Sequence, residues 1–168
     1  IYVVKIVHSL YHQITLIEHL FQAWNSFKIG KRHKKDVQRF EINLENNLFG
    51  LHEQLTTKTY RHRSYVAFNI YDPKFRHIHK AIVGDRIVHH AVVSVIEPLF
   101  DKTFIYDSYS CRVSKGTHKA VERLFVFVRK VSRDYTQSCF ALKLDIKKYF
   151  ASVNHEILLR IIGKRVKD

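Results

Sequence analysis

Residues 141–155 read ALKLDIKKYFASVNH, and the reading of that stretch decides how the rest of the chain is understood. Phe140, Leu142 and Leu144 alternate at the spacing of a half-buried strand, which would carry one carboxylate, Asp145, at its C-terminal end, where a rigid sheet can hold a reacting group. A basic and aromatic turn follows at Lys147-Lys148-Tyr149-Phe150. Ser152 and Asn154 are then candidate caps for a helix carrying Ile157, Leu158 and Ile161. Taken alone, the stretch fits equally well a strand-to-helix turn whose Asp145 only caps backbone amides.

Working outward, the whole chain has 168 residues and is 46% hydrophobic, enough for one substantial core or two small lobes, and it is neither disordered nor fibrous. A formal net charge of +14 argues for a polyanionic partner, nucleic acid before others. No apolar run approaches the roughly 20 residues of a membrane span, and Ile1 to Val7 is interrupted by Lys5 without a signal-peptide pattern, so a cytoplasmic, membrane-free protein is expected. Cys111 and Cys139 are too few for a disulfide framework and fit a reducing compartment. There is no methionine, even at position 1, and the sequence stops at Lys167-Asp168, just past a helical pattern, so a piece of a longer protein is expected.

Leu10, Ile14, Ile17, Phe21 and Trp24 recur at helical steps and predict one helix from about Ser9 to Phe27. After the basic link Lys28 to Lys35, the apolar positions Val37, Phe40, Leu44, Leu48, Leu51 and Leu55 predict a second helix, with Asp36 favourable to its dipole. Thr56 to Arg63 reads as a basic loop. The alternating runs Tyr65–Tyr71 and Phe75–Lys80 flank Asp72-Pro73 and predict a β-hairpin with Lys74 and Arg76 near its tip. Alternation sets Arg76, Ile78 and Lys80 on one face and Phe75, His77 and His79 on the other. Asp85 and Arg86 open a further helix, expected to be buried and to stop at Glu97-Pro98, with Asp85 as cap and ion-pair partner. Ser108 to His118 is a polar loop exposing Arg112 and Lys115, with Thr117 as N-cap of a helix carrying Val121, Leu124, Phe125, Val128 and Val131.

Several of these stretches together, GKR at the link, FEINLENNLF, IYDPKFR, DRIVHHAVVSVIEPLFDKTFIYDSYSCR, KGTHKAV and LDIKKYFASVNH, resemble reverse transcriptases. The resemblance covers about Gly30 through Ile162 and is nearest to bacterial retroelement enzymes, the diversity-generating and group II intron-like kinds. Two departures touch the expected fingers geometry: His77 and His79 flank Ile78 where aliphatic residues are usual, and Val83-Gly84 precedes Asp85 where a bulkier residue is common.

The resemblance implies an α+β chain, mainly helical fingers with a β-hairpin plus the first strand and helix of an incomplete right-hand polymerase palm. Its segments would be an N-terminal helical extension over 1–30, fingers over 31–138 and the start of the palm, with motif A, over 139–168. It implies Asp145 and the Ile146 carbonyl as ligands for catalytic magnesium, and Phe150 as the ring that excludes a ribose 2′-hydroxyl. Lys74, Arg76 and Arg86 would hold the nucleotide. Lys58, Arg61, Arg63, Arg112 and Lys115 would meet an RNA template or an RNA-DNA hybrid, with dNTPs as substrates and room on the basic surface for an accessory protein. Motif B and the Tyr-x-Asp-Asp hairpin of that family have no counterpart before Asp168, so these 168 residues are expected to be inactive by themselves. The competing readings are a non-catalytic, maturase-like RNA-binding module and a helical structural protein whose charge serves solubility. Asp145 together with Phe150 favours the polymerase, because RNA binding needs neither a metal carboxylate nor a sugar gate.

Overall fold

The first two amphipathic periods of the chain produce helices, each interrupted where the sequence shows no break. The computed structural model describes residues 6–168, so the start of the chain at Ile1 to Lys5 lies outside it. The expected first helix is two, α1 (Leu10–Thr15) and α2 (Ile17–Phe27), divided at Leu16, whose ψ of 134° is extended. The Thr15 carbonyl accepts instead from Nδ1 of His52 at 2.7 Å. The second expected helix is likewise divided at Asn43 into α3 (Lys35–Ile42) and α4 (Leu44–Thr56), and Asn47 Nδ2 donates to the Phe40 carbonyl at 3.0 Å. In both places a side chain from α4 takes a carbonyl that the break leaves over.

Two compact units result, one of residues 1–98 with 162–168 and the other of residues 99–161. The division runs through the middle of the motif-based segment 31–138. In the first unit Leu20, Trp24 and Phe27 of α2 are buried with Val37 of α3, Leu48 of α4 and Ile87 of α5 (Val83–Asp101). Trp24 stacks obliquely on Phe40 with ring centres 5.5 Å apart. Fully burying side chains of this size is worth about 1.5–3 kcal/mol each, which makes this cluster the main stabilising feature of the unit.

Strands β1 (Val66–Ile70) and β2 (Arg76–Lys80) form the expected hairpin, antiparallel, with Val66 opposite Lys80 and Ile70 opposite Arg76. Its faces divide as the alternation predicts: Val66, Phe68 and Ile70 with Arg76, Ile78 and Lys80, against Ala67 and Asn69 with His77 and His79. Every residue of β1 is exposed. The hairpin therefore stands clear of the core. Helix α5 (Val83–Asp101) opens as expected but does not stop at Glu97-Pro98; it runs through Pro98, which has no N–H to return to the Ser94 carbonyl, and ends three residues later.

The second unit holds α6 (Thr117–Val131), the short α7 (Tyr149–Ser152) and most of α8 (His155–Ile162). Gly116, in extended conformation, is the N-cap of α6, one residue before the expected Thr117. No residue of α6 or α8 is buried, although the apolar stripes read from the sequence are present on both helices. The expected strand over Phe140 to Leu144 does not form: the segment carries no strand pairing, and Phe140, Leu142 and Leu144 are 99%, 84% and 81% exposed. Alternation makes a strand only where a neighbouring strand takes its N–H and C=O groups, and among the described residues the one sheet is the β1–β2 pair.

Candidate functional site

Asp145 lies on the loop that precedes α7, exposed, and its Oδ1 accepts the backbone N–H of Ile146 at 3.0 Å. That is the local capping role a turn aspartate fills, and it leaves the rest of the carboxylate facing solvent. Lys148 turns the chain through a left-handed conformation, φ 51°, directly into α7, whose second residue is Phe150. The Phe150 ring is 88% exposed and meets Tyr149 edge to face, centres 5.3 Å apart. Downstream, Asn154 Oδ1 accepts the Ile157 N–H at 3.0 Å and so caps α8, as the sequence predicts. Ser152, the other candidate cap, instead ends α7, its hydroxyl donating to the Tyr149 carbonyl at 2.8 Å.

Among the described residues no group of three or more His, Cys, Asp or Glu side chains is placed to hold a metal. Asp145 with the Ile146 carbonyl offers two oxygen donors from one turn. Such hard oxygens suit magnesium in kind, since that ion commonly takes one or two carboxylates and completes its shell with water and phosphate.

Arg86, at the start of α5, is committed within the first unit. Its Nη2 donates to Asp36 Oδ2 at 2.5 Å and its guanidinium lies 4.9 Å from the Phe27 ring centre. Lys80 reaches the same Asp36 oxygen at 2.7 Å. Partial burial works against ionisation of Asp36, but the two cations outweigh it and hold the carboxyl below its ordinary range. Lys74 and Arg76 are exposed at the hairpin's far end, beside Tyr71 and Phe75, whose rings are 5.3 Å apart.

Behind the hairpin, Asp85 is only 2% exposed and draws in the basic loop: Tyr60 donates its hydroxyl to Oδ1 at 2.7 Å and Arg63 its backbone N–H to Oδ2 at 3.1 Å. His62 stands 3.8 Å from the same carboxylate. This arrangement leaves Lys58, Arg61 and Arg63 with exposed side chains on one loop whose base is fixed. The sequence identifies Asp85 as a cap with an ion partner but not its phenol and amide partners, because the loop has no periodicity to place them.

In the second unit Arg112 is folded inward. Nε donates to Asp101 at 2.6 Å, and its terminal nitrogens donate to the carbonyls of Asp101, Ile105 and Ser108 at 3.1, 3.1 and 3.2 Å. Four of a guanidinium's five N–H groups are thereby used. Lys115 is likewise only half exposed, against the expectation for it: it donates to the Tyr106 carbonyl and lies over the Tyr106 and Tyr109 rings, 4.0 and 5.3 Å from their centres. Asp36 and Asp101 tie down three cations between them, a role the sequence does not show: it places Asp36 at a helix start, but its partners Lys80 and Arg86 lie more than forty residues away and Arg112 lies eleven from Asp101.

No protein-family model matches the chain. Over 95 residues, 56% of this chain, it is 26% identical to "Protein YkfC" of Escherichia coli (strain K12). The chain spans about a quarter of that relative's length, 24%.

Proposed function

We propose that the chain is the N-terminal part of an RNA-directed DNA polymerase, fingers followed by the opening of a palm, which copies an RNA template from dNTPs in the cytoplasm. The observation that supports this reading best is the pairing of an exposed Asp145 with an exposed Phe150 on one turn, ahead of the capped helix α8. Asp145 and the Ile146 carbonyl hold magnesium, which when bound supplies Lewis acidity to phosphoryl oxygens. Phe150 fills the space of a ribose 2′-hydroxyl and so selects deoxynucleotides. Lys74 and Arg76 meet the nucleotide phosphates, and Arg86 supports them through the Asp36 and Lys80 cluster. Lys58, Arg61, Arg63 and Lys115 contact template and hybrid phosphates, with Arg112 shaping the loop that presents Lys115.

A second reading, the maturase-like RNA-binding module, draws support from the Asp145 to Ile146 hydrogen bond, a structural role that needs no metal. Primer extension by the whole protein on an RNA template separates the two. On the polymerase reading Asp145→Ala abolishes extension and spares RNA binding, while Phe150→Val keeps extension and admits ribonucleotides. Extension unchanged by Asp145→Ala, or RNA binding with no extension in the unaltered protein, sinks the polymerase reading.

A further inference from the structure

The hairpin face that carries no cation holds a feature the polymerase reading does not use. His77 and His79 sit two apart on β2 and therefore project from the same face, with ring centres 4.7 Å apart and planes at 81°. Across the ladder from His77 is Asn69, whose Oδ1 is 2.7 Å from His77 Nδ1. An amide oxygen only accepts, so Nδ1 carries the proton and the Nε2 lone pair is left facing outward. A hydrogen bond of this kind, from the far ring nitrogen to an oxygen, is how ligating histidines are oriented and their tautomer fixed. Opposite His79 is Ala67, a small neighbour across the ladder, and the Tyr65 ring meets the His79 ring edge to face, centres 6.4 Å apart.

We propose that His77 and His79 chelate one divalent transition-metal ion of the borderline class, zinc, nickel or copper, with water in the remaining positions. Two imidazoles bound to one tetrahedral ion at about 2.1 Å from each nitrogen hold their ring centres about 5 Å apart. The observed 4.7 Å is a small side-chain rotation from that geometry. Imidazole lone pairs lie in the ring plane, so near-perpendicular rings can converge on one point. The pair His62 and His89 differs: those rings are stacked at 15° and 5.3 Å, and His62 Nδ1 is 3.8 Å from the Asp85 carboxylate.

Calorimetric titration of the 168-residue chain with zinc chloride, in buffer free of chelators, tests the site. One ion per chain is expected, and His77→Ala or His79→Ala should remove that isotherm. Asn69→Ala should weaken it about tenfold or more through loss of the orienting bond. His62→Ala should leave it unchanged. With copper(II), the electron paramagnetic resonance spectrum should show coupling to two nitrogens. The hairpin is solvent-exposed, so these variants should keep the helical circular-dichroism signal; a direct reading comes in any case from zinc-induced shifts of histidine ring nitrogens in the unaltered chain. Shifts on histidines other than 77 and 79, an isotherm indifferent to both alanine variants, or no binding of either metal overturns the proposal.

Discussion

Tyr60 and Asp85 form the contact on which the placement of the basic loop turns. Burial, then the hydrogen bond and charge of Asp85, push the Tyr60 phenol above its ordinary 10.0. The folded state thus favours the neutral phenol, and the contribution this makes to stability is complete below pH 10 and is lost as the pH rises beyond it, where the unfolded chain releases the proton first. Trp24 is the single tryptophan and is fully buried in the first unit, so its fluorescence reports that unit alone. Urea unfolding followed this way should show Tyr60→Phe to be less stable at neutral pH by about 1 kcal/mol, the net worth of one such hydrogen bond. From pH 9 to about 11 the variant should lose less stability than the parent. Parallel curves for parent and variant would remove Asp85 from the account. The sequence shows that Asp85 begins a helix, but the partner is a phenol twenty-five residues earlier, and only the tertiary fold brings it near.

Among the secondary elements, the hairpin depends most on a contact outside itself. Its strands pair with each other and β1 is exposed throughout, so Asp36 at the start of α3, bridging Lys80 of β2 and Arg86 of α5, ties its base to the helices. Asp36→Asn keeps the shape and removes the charge from a site with a 36% exposed side chain, so global stability should fall by no more than about 1 kcal/mol. The effect should concentrate locally. Hydrogen exchange should quicken at the strand residues near Val66 and Lys80 while amides of α2 and α4 keep their protection, and a uniform change across the unit would show that the bridge does not anchor the hairpin. The same scale shows what the sequence could and could not yield. The hairpin, the two faces of its second strand and helix type were legible, because they follow from alternation and from period alone. The breaks at Leu16 and Asn43 were not, since the apolar stripes run straight through them and the liberated carbonyls are taken by His52 and Asn47, partners that only packing defines. Phe140 to Leu144 failed for the opposite reason: the alternation is present, and the strand that would pair with it is not among the described elements.

For the molecule as a whole the dominant physical quantity is charge, +14, and the structure divides its cations into two populations. Arg86, Lys80, Arg112, Arg123 and Arg129 each have a carboxylate within 3 Å, Arg86 and Lys80 sharing that of Asp36, and are already engaged in ion pairs. Lys58, Arg61, Arg63, Lys74 and Arg76 have exposed side chains on a loop and a hairpin of the first unit, where a polyanion meets them without breaking an ion pair. Binding of a single-stranded RNA should therefore weaken steeply with salt, with a log-log slope of about −0.7 for each phosphate neutralised. Fluorescence anisotropy of a labelled oligoribonucleotide between about 50 and 200 mM potassium chloride measures that slope. Replacing Lys74 and Arg76 together by alanine should reduce its magnitude by about 1.4, the release of two counterions' worth. Replacing Lys34 and Lys130, exposed cations on neither the loop nor the hairpin, lowers net charge equally and should leave the slope almost unchanged. Equal losses from the two double variants would mean that the RNA responds to net charge rather than to this surface, and the hairpin and loop would lose their claim to be the nucleic-acid face.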